Sequence, residues 1–271
     1  MALIRTIVVP AFNEERRIAT TLDCLLQHYG EGQGQTEILV VDDGSTDRTS
    51  QVVNWYHRKE EAVNLLRVPH GGKGAAVRQG VAHAQGDFVF LCDADLKEGV
   101  SQLDKLESAL RGGADVAIGS RWVAAAESTE SQPLFRRICS RIFNLCAHRL
   151  LGLQFKDTQC GLKAFTNSAA HAMFQHQSID GWGFDPELLL IASRFGYDVA
   201  EVPIELPHDY TTSRFRPIRD GITTFKELFA IVLRDAAGAY PSAQAARSAK
   251  AATVAGSPEL PQVASSGQEA A

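Results

Sequence analysis

Short apolar, β-branched runs recur through the first 120 residues, at 4–9, 37–41, 63–68, 87–92 and 115–119. Runs of this length, bounded by Gly, Pro, Asn and Asp, predict strands. Between them apolar side chains return every third or fourth position, at Ile18, Leu22, Leu25 and Leu26 and again at Val77, Val81 and Ala84. That is the period of one helix face. Strand and helix alternating at this interval predict an α/β domain with a mainly parallel central sheet and helices on both faces. Beyond it the pattern predicts a long helix at 133–151, a strand at 162–165 and helices at 167–176 and 185–195. A strand at 198–205 and a helix at 218–234 complete it. Ten of the 29 residues from 243 to 271 are alanine and none is aromatic. Such a segment buries too little apolar surface to offset the entropy of ordering. One folded domain over 1–240 and a disordered tail over 241–271 are expected.

Hydrophobic residues at 45% and charged residues at 22% of 271 are ordinary for a globular protein. The net charge of −5 argues against nucleic acid as a partner, because a binder of that class needs a basic stripe. One stretch departs from the average. From Ser131 to Lys156 there is no acidic residue, while Arg136, Arg137, Arg141, Arg149 and Lys156 are present. Leu134, Phe135, Ile138, Ile142, Phe143, Leu145 and Cys146 fall there mostly at three- and four-residue spacing. A helix lying in a membrane interface has this pattern, and so does a core helix with a solvated basic edge. No run of about 18 apolar residues suggests a membrane span, and the first residues enter a strand pattern without the order of a signal peptide. Five scattered cysteines, none in C-x-x-C, suit idle thiols better than disulfides or zinc. A cytoplasmic protein is expected.

In parallel sheets, ligands sit at the carboxyl ends of strands, so the residues after each strand carry the argument. The first strand ends in Pro10, Ala11, Phe12, Asn13 and Glu14, without the G-x-G-x-x-G of a dinucleotide site. The second ends in Asp42-Asp43-Gly44; an acidic pair there suits ribose hydroxyls or a base N–H, and a capped turn equally. The third leads into His70-Gly71-Gly72-Lys73-Gly74, where the Ser or Thr that a Walker loop needs after its lysine is replaced by Gly74. A glycine-flanked lysine at a helix start can still face a diphosphate. The fourth ends in Asp93-Ala94-Asp95. Two carboxylates so close repel unless a cation sits with them, which points to a divalent ion shared with a diphosphate.

Taken in order, VVPAFNEE, VVDDGSTD, GGKGAAVRQG and CDADL resemble the family-two glycosyltransferases of GT-A fold. GSR at 119–121, DTQCGLKAF at 157–165, WGFDPELLLIA at 182–192 and SRFRP at 213–217 resemble its dolichyl-phosphate β-glucosyltransferase branch, related to the dolichyl-phosphate mannosyltransferases. The resemblance spans about residues 4 to 235. It implies a nucleotide sugar donor, UDP-glucose before GDP-mannose, a polyprenyl or dolichyl phosphate acceptor at a membrane surface, and Mg²⁺ or Mn²⁺. It further implies that Pro10, Ala11, Glu14 and Asp42 hold the base and ribose, with Lys73 and Asp93 beside the nucleotide and Asp93 and Asp95 at the metal. Arg121, Arg136, Ser140 and Arg214 would face the acceptor phosphate, and Asp157, Gln159 and Asp185 would line the sugar pocket. The catalytic set it implies is Asp95, Arg121, Asp157 and Asp185. Two departures stand out: members of the glucosyl branch often carry a membrane helix, and Lys97 occupies a position where a mannosyl relative supplies a metal ligand.

A monophosphate acceptor changes what the site needs. With a second pKa near about 6 it is already largely a dianion at neutral pH, so a cationic cradle replaces the general base that a hydroxyl acceptor requires. Transfer to a non-lipid acceptor, and a non-catalytic nucleotide-sugar-binding subunit, are the competing expectations.

Overall fold

The computed structural model describes residues 3–30, 35–96, 99–122, 134–205 and 219–240, the side chains of 134–138 and 219 excepted. Strand and helix alternate through β1 (Arg5–Ala11), α1 (Ile18–Tyr29), β2 (Thr36–Asp43), α2 (Thr49–His57), β3 (Val63–Val68), α3 (Lys73–His83), β4 (Phe88–Leu91), α4 (Ser101–Arg111) and β5 (Val116–Ser120). Then come α5 (Leu134–Leu151), β6 (Lys163–Thr166), α6 (Asn167–Phe174), α7 (Phe184–Phe195), β7 (Val199–Pro203) and α8 (Arg219–Ala236). The strands form one sheet in the order β3-β2-β1-β4-β6-β5-β7. Only β6 runs antiparallel to its neighbours, β4 and β5.

Both faces of this sheet are buried, which is why its strands read as nearly continuous apolar runs. Ile7 and Val9 pack with Leu22, Val53 and Leu106 from α1, α2 and α4, while Val8 between them packs with Val77, Phe165 and Leu188 on the other side. α2 and α4 do not stand out in the hydrophobic pattern because polar side chains fill inward positions. Thr49 is buried in α2, and Gln102 and Glu107 in α4. Glu107 is held there by Arg5 and Arg111.

The apolar positions of α5 do not share one face. Phe143, Ala147 and Leu151 enter the core, whereas Ile142, Leu145 and Leu150 are half exposed on the outside. Three- and four-residue spacing merges two adjacent stripes that packing separates. No helix among the described residues is long and apolar enough to cross a membrane. Residues 241–271, where the tail was expected, lie outside the described residues.

Candidate active site

At the carboxyl edge, the β1–β4 ladder stops at Val8 and Leu91. Pro10, which has no N–H, therefore lies beyond the last β4 partner, where a missing donor is tolerated. Beside it Ala11 pairs with Asp42 of β2. Asp42 is fully buried; it accepts from the Ser45 amide at 2.9 Å and from the Ser50 hydroxyl, and Arg67 lies 3.7 Å away. Asn13 takes a φ of 55°, a left-handed conformation that asparagine tolerates. From there its amide oxygen accepts from Thr46 N at 2.8 Å and Asp47 N at 3.2 Å, tying the two strand ends together. Glu14 grips Arg17 through both oxygens at 2.7 and 2.8 Å, and Arg17 reaches Asp95 at 3.4 Å. Pro10, Ala11, Glu14 and Asp42 thus lie on adjacent strand ends.

The glycine loop after β3 is more occupied than its sequence suggests. Asp43 accepts from Gly71 N at 2.7 Å and Gly72 N at 3.0 Å, and also meets His70 Nδ1 at 2.8 Å. Gly74 N and Ala75 N donate to the Asp180 carbonyl at 2.7 and 3.2 Å. Those four amides are committed within the protein, so the loop presents its lysine rather than an open amide cradle. Two glycines make the approach possible. Gly72 has a φ of 104°, and a Cβ on Gly74 would come within 2.3 Å of the Ile179 carbonyl. Lys73 Nζ then sits 2.6 Å from Asp93 Oδ1 and 5.1 Å from the centre of the Trp182 ring.

Asp93 is backed by Gly161, where a Cβ would lie 2.8 Å from its Oδ2. Segment 157–161 therefore passes directly against Asp93, and its first residue holds the next cation. Asp157 accepts from Arg121 Nε at 2.6 Å and Nη2 at 2.8 Å, and from the Arg121 amide at 3.2 Å. Burial alone would raise the Asp157 pKa, but the charge and hydrogen bonds of Arg121 outweigh it and hold the carboxyl below its ordinary range. Gln159, half-buried, donates its backbone N–H to the same carboxylate at 3.2 Å. Ser140 is half-buried on α5; the Arg136 side chain, Arg214 and Lys97 lie outside the described residues.

Asp185, in the first turn of α7, is buried with Lys163 Nζ at 2.5 Å, and the same ammonium donates to the Cys160 carbonyl. Glu187, wholly buried, accepts from Ser178 N, Ile179 N and the Tyr240 hydroxyl at 2.7–3.0 Å. That fixes the segment whose Asp180 carbonyl caps α3. Glu227 of α8 accepts from Gly183 N at 2.7 Å. Its pKa is raised by burial, against the opposing Gly183 bond and with Asp180 and Glu187 adding to the rise. Sequence reasoning missed Arg17, Lys163, Glu187 and Glu227. Lys163 alone left a signal, a lysine inside an apolar strand; the others depend on contacts across the fold.

Asp93 and Asp95, the carboxylates expected to share a divalent ion, are paired with Lys73 and Arg17, so the repulsion that pointed to an ion is already relieved by the protein's own cations. No group of three or more His, Cys, Asp and Glu among the described residues is arranged to hold a metal ion.

Residues 6–180 match the model of glycosyl transferase family 2. A dolichyl-phosphate beta-glucosyltransferase of Trichomonas vaginalis is 36% identical over 216 residues, 74% of this chain and 63% of that protein. The chain spans less than two thirds of the length of that relative and of two others from the same organism. The Homo sapiens dolichyl-phosphate beta-glucosyltransferase is 32% identical over 249 residues, 87% of this chain and 76% of that protein. Among solved structures, glucosyl-3-phosphoglycerate synthase of Mycobacterium tuberculosis in complex with UDP superposes with a TM-score of 0.62 at 21% identity. That match covers 85% of this chain and 79% of the synthase. Its complex with Mn²⁺, UDP and glucosyl-3-phosphoglycerate gives 0.61. The shared architecture is the GT-A fold.

Proposed function

This chain belongs to glycosyl transferase family 2, and on that premise we propose that it transfers glucose from UDP-glucose to a polyprenyl phosphate with inversion at the anomeric carbon. The observation that carries this reading is a row of three cations held by acids along one sheet edge. Lys73 pairs with Asp93, Arg17 with Asp95 and Arg121 with Asp157. A diphosphate leaving group and a phosphate acceptor each call for fixed positive charge. The names of the relatives from Trichomonas vaginalis and Homo sapiens support the donor sugar and the acceptor class.

In this reading Pro10, Ala11, Glu14 and Asp42 receive the nucleoside. Mg²⁺ or Mn²⁺, held by Asp93 and Asp95, would neutralise charge on the diphosphate. Lys73 contributes fixed charge beside it, stabilising the leaving group more as the glycosidic bond breaks than before. Arg121, its Nε and Nη2 held by Asp157, would contribute fixed positive charge beside the acceptor phosphate, with Arg136, Ser140 and Arg214 completing the cradle. Asp157 orients Arg121, and with Gln159 and Asp185 it bounds the sugar. The acceptor dianion attacks without a general base. Five free cysteines suit the cytoplasmic face of a membrane.

The test is direct. Purified protein, a panel of nucleotide sugars, Mn²⁺ or Mg²⁺ and polyprenyl phosphate in detergent should yield a lipid-linked hexose, with UDP-glucose the best donor. Asp95→Asn should stay folded and lose turnover by about a hundredfold or more. A panel in which no donor is consumed would overturn the reading and leave a non-catalytic binding subunit.

A further inference from the structure

The acidic pair is served by two of the protein's own cations. Lys73 Nζ lies 2.6 Å from Asp93 and Arg17 Nη1 lies 3.4 Å from Asp95. Arg17 stands just before the first turn of α1, where Glu14 grips it through Nε at 2.7 Å and Nη2 at 2.8 Å. That grip turns the third nitrogen of the fork toward Asp95. One turn on, the Thr21 amide donates to the Arg17 carbonyl at 3.2 Å, and the buried Thr21 hydroxyl donates to the Ala94 carbonyl at 2.7 Å. Residues four apart share a helix face. The start of α1 therefore holds the Asp93-Ala94-Asp95 turn at two points, its main chain through Thr21 and its second carboxylate through Arg17.

The contacts differ in strength. Arg17 meets Glu14 through two short parallel bonds, but Asp95 through a single long one. Lys73 carries its charge on a flexible four-carbon stem. Among these five side chains three carboxylates face two cations, which leaves one negative charge. A divalent ion placed there alone would meet an ammonium and a guanidinium, and both oppose it. A diphosphate reverses the balance: it brings negative charge, takes Lys73 as its own partner and supplies oxygen ligands. Asp93 is then released, and Arg17 gives up its long contact with Asp95 while keeping both bonds to Glu14.

We propose that Arg17 is a positioning residue that couples metal binding to donor binding. With Lys73 it acts as a resident counter-cation of Asp93 and Asp95, so the pair takes Mg²⁺ or Mn²⁺ together with a diphosphate and only weakly without one. The coupling rests on the nucleotide-sugar donor proposed above; the opposition of Arg17 to a lone ion does not. Coupling of this kind is reciprocal, so the ion must tighten nucleotide binding by the same factor.

Titration of the full chain with Mn²⁺, followed by the electron paramagnetic resonance of the free ion, tests this without turnover. The wild type should bind Mn²⁺ about tenfold or more tightly with saturating UDP than without it. Arg17→Gln should bind Mn²⁺ alone about fivefold or more tightly than the wild type. Arg17→Lys, which keeps the charge, should stay closer to the wild type. Arg16→Gln removes the same charge from the exposed neighbouring position and should leave Mn²⁺ affinity unchanged. Unchanged thermal midpoints would show that the variants are folded. If Arg17→Gln does not fold, Lys73→Gln takes its place, because releasing Asp93 should also strengthen binding of Mn²⁺ alone. The proposal is overturned by a wild type that binds UDP yet has the same Mn²⁺ affinity with and without it. It is equally overturned if Arg17→Gln binds Mn²⁺ no more tightly than the wild type, or if Arg16→Gln rises as much. Protein that binds no UDP at all would remove the donor reading and the coupling with it, while the comparison with Mn²⁺ alone still decides the role of Arg17. Intact coupling without glucose transfer would instead remove the proposed reaction and leave this inference standing.

Discussion

In the proposed reaction Asp157 would serve the site by holding Arg121, without touching the reacting atoms. It is buried, and both of its oxygens are committed to the Arg121 guanidinium. Its folded-state pKa lies below the ordinary value. A carboxyl with a depressed pKa contributes stability above its unfolded pKa, about 3.9, and loses it as pH falls through the folded value. Asp157→Asn should therefore flatten the acid limb of stability below about pH 4, measured as urea midpoints across pH. It should also lower turnover about a hundredfold, because Arg121 loses the partner that aims it. Lys163 and Asp185 give a second test. Lys163→Met leaves a buried carboxylate unpaired and should cost about 3–5 kcal/mol. Adding Asp185→Leu should restore most of that stability without restoring turnover, if Asp185 bounds the sugar as proposed. Strand-end positions such as Asp42, Lys73, Asp93 and Asp95 were legible because sheet topology makes the ends of β1 to β4 neighbours. Pairings such as Arg17 with Asp95 were not, because nothing local in the sequence encodes a contact between residues 78 positions apart.

Among the elements, the alternating first half was readable because each parallel strand is buried on both faces and stands out as an apolar run. β6 was readable as a strand, but its antiparallel direction follows from pairing between β4 and β5, which no single segment announces. The apolar and basic composition of the 133–151 helix was legible, and its division into inward and outward stripes was not. The start of α3 depends on the 179–183 segment, which Glu187 and Glu227 hold from two helices. Gly74→Ala would press a Cβ against the Ile179 carbonyl. Such overpacking should cost about 1–3 kcal/mol and move Lys73, read as a lower thermal midpoint together with a higher KM for the donor. Glu227→Gln should keep the Gly183 bond and turnover, while Glu227→Ala should lose turnover as the Trp182 segment loosens. Because the folded pKa of Glu227 is raised, its charged form costs stability once pH rises above its unfolded pKa. Glu227→Gln should therefore match or exceed the wild type in thermal midpoint at neutral pH.

For the molecule as a whole, an acidic chain with a net charge of −5 gathers cations where the proposed phosphate chemistry would use them. Lys73 is paired with Asp93 and Arg121 with Asp157 at the carboxyl edge of the sheet, and Arg141, Arg149 and Lys226 are exposed on α5 and α8. The central claim is that the acceptor is a phosphate, received by Arg121 and needing no general base. The most direct measurement compares polyprenyl phosphate with the corresponding polyprenyl alcohol as acceptor for UDP-glucose, in the same detergent and with Mn²⁺. Lipid-linked glucose formed from the phosphate alone, and reduced about a hundredfold in Arg121→Gln, is the predicted result. Equal transfer to the alcohol, or unchanged transfer in Arg121→Gln, would contradict it.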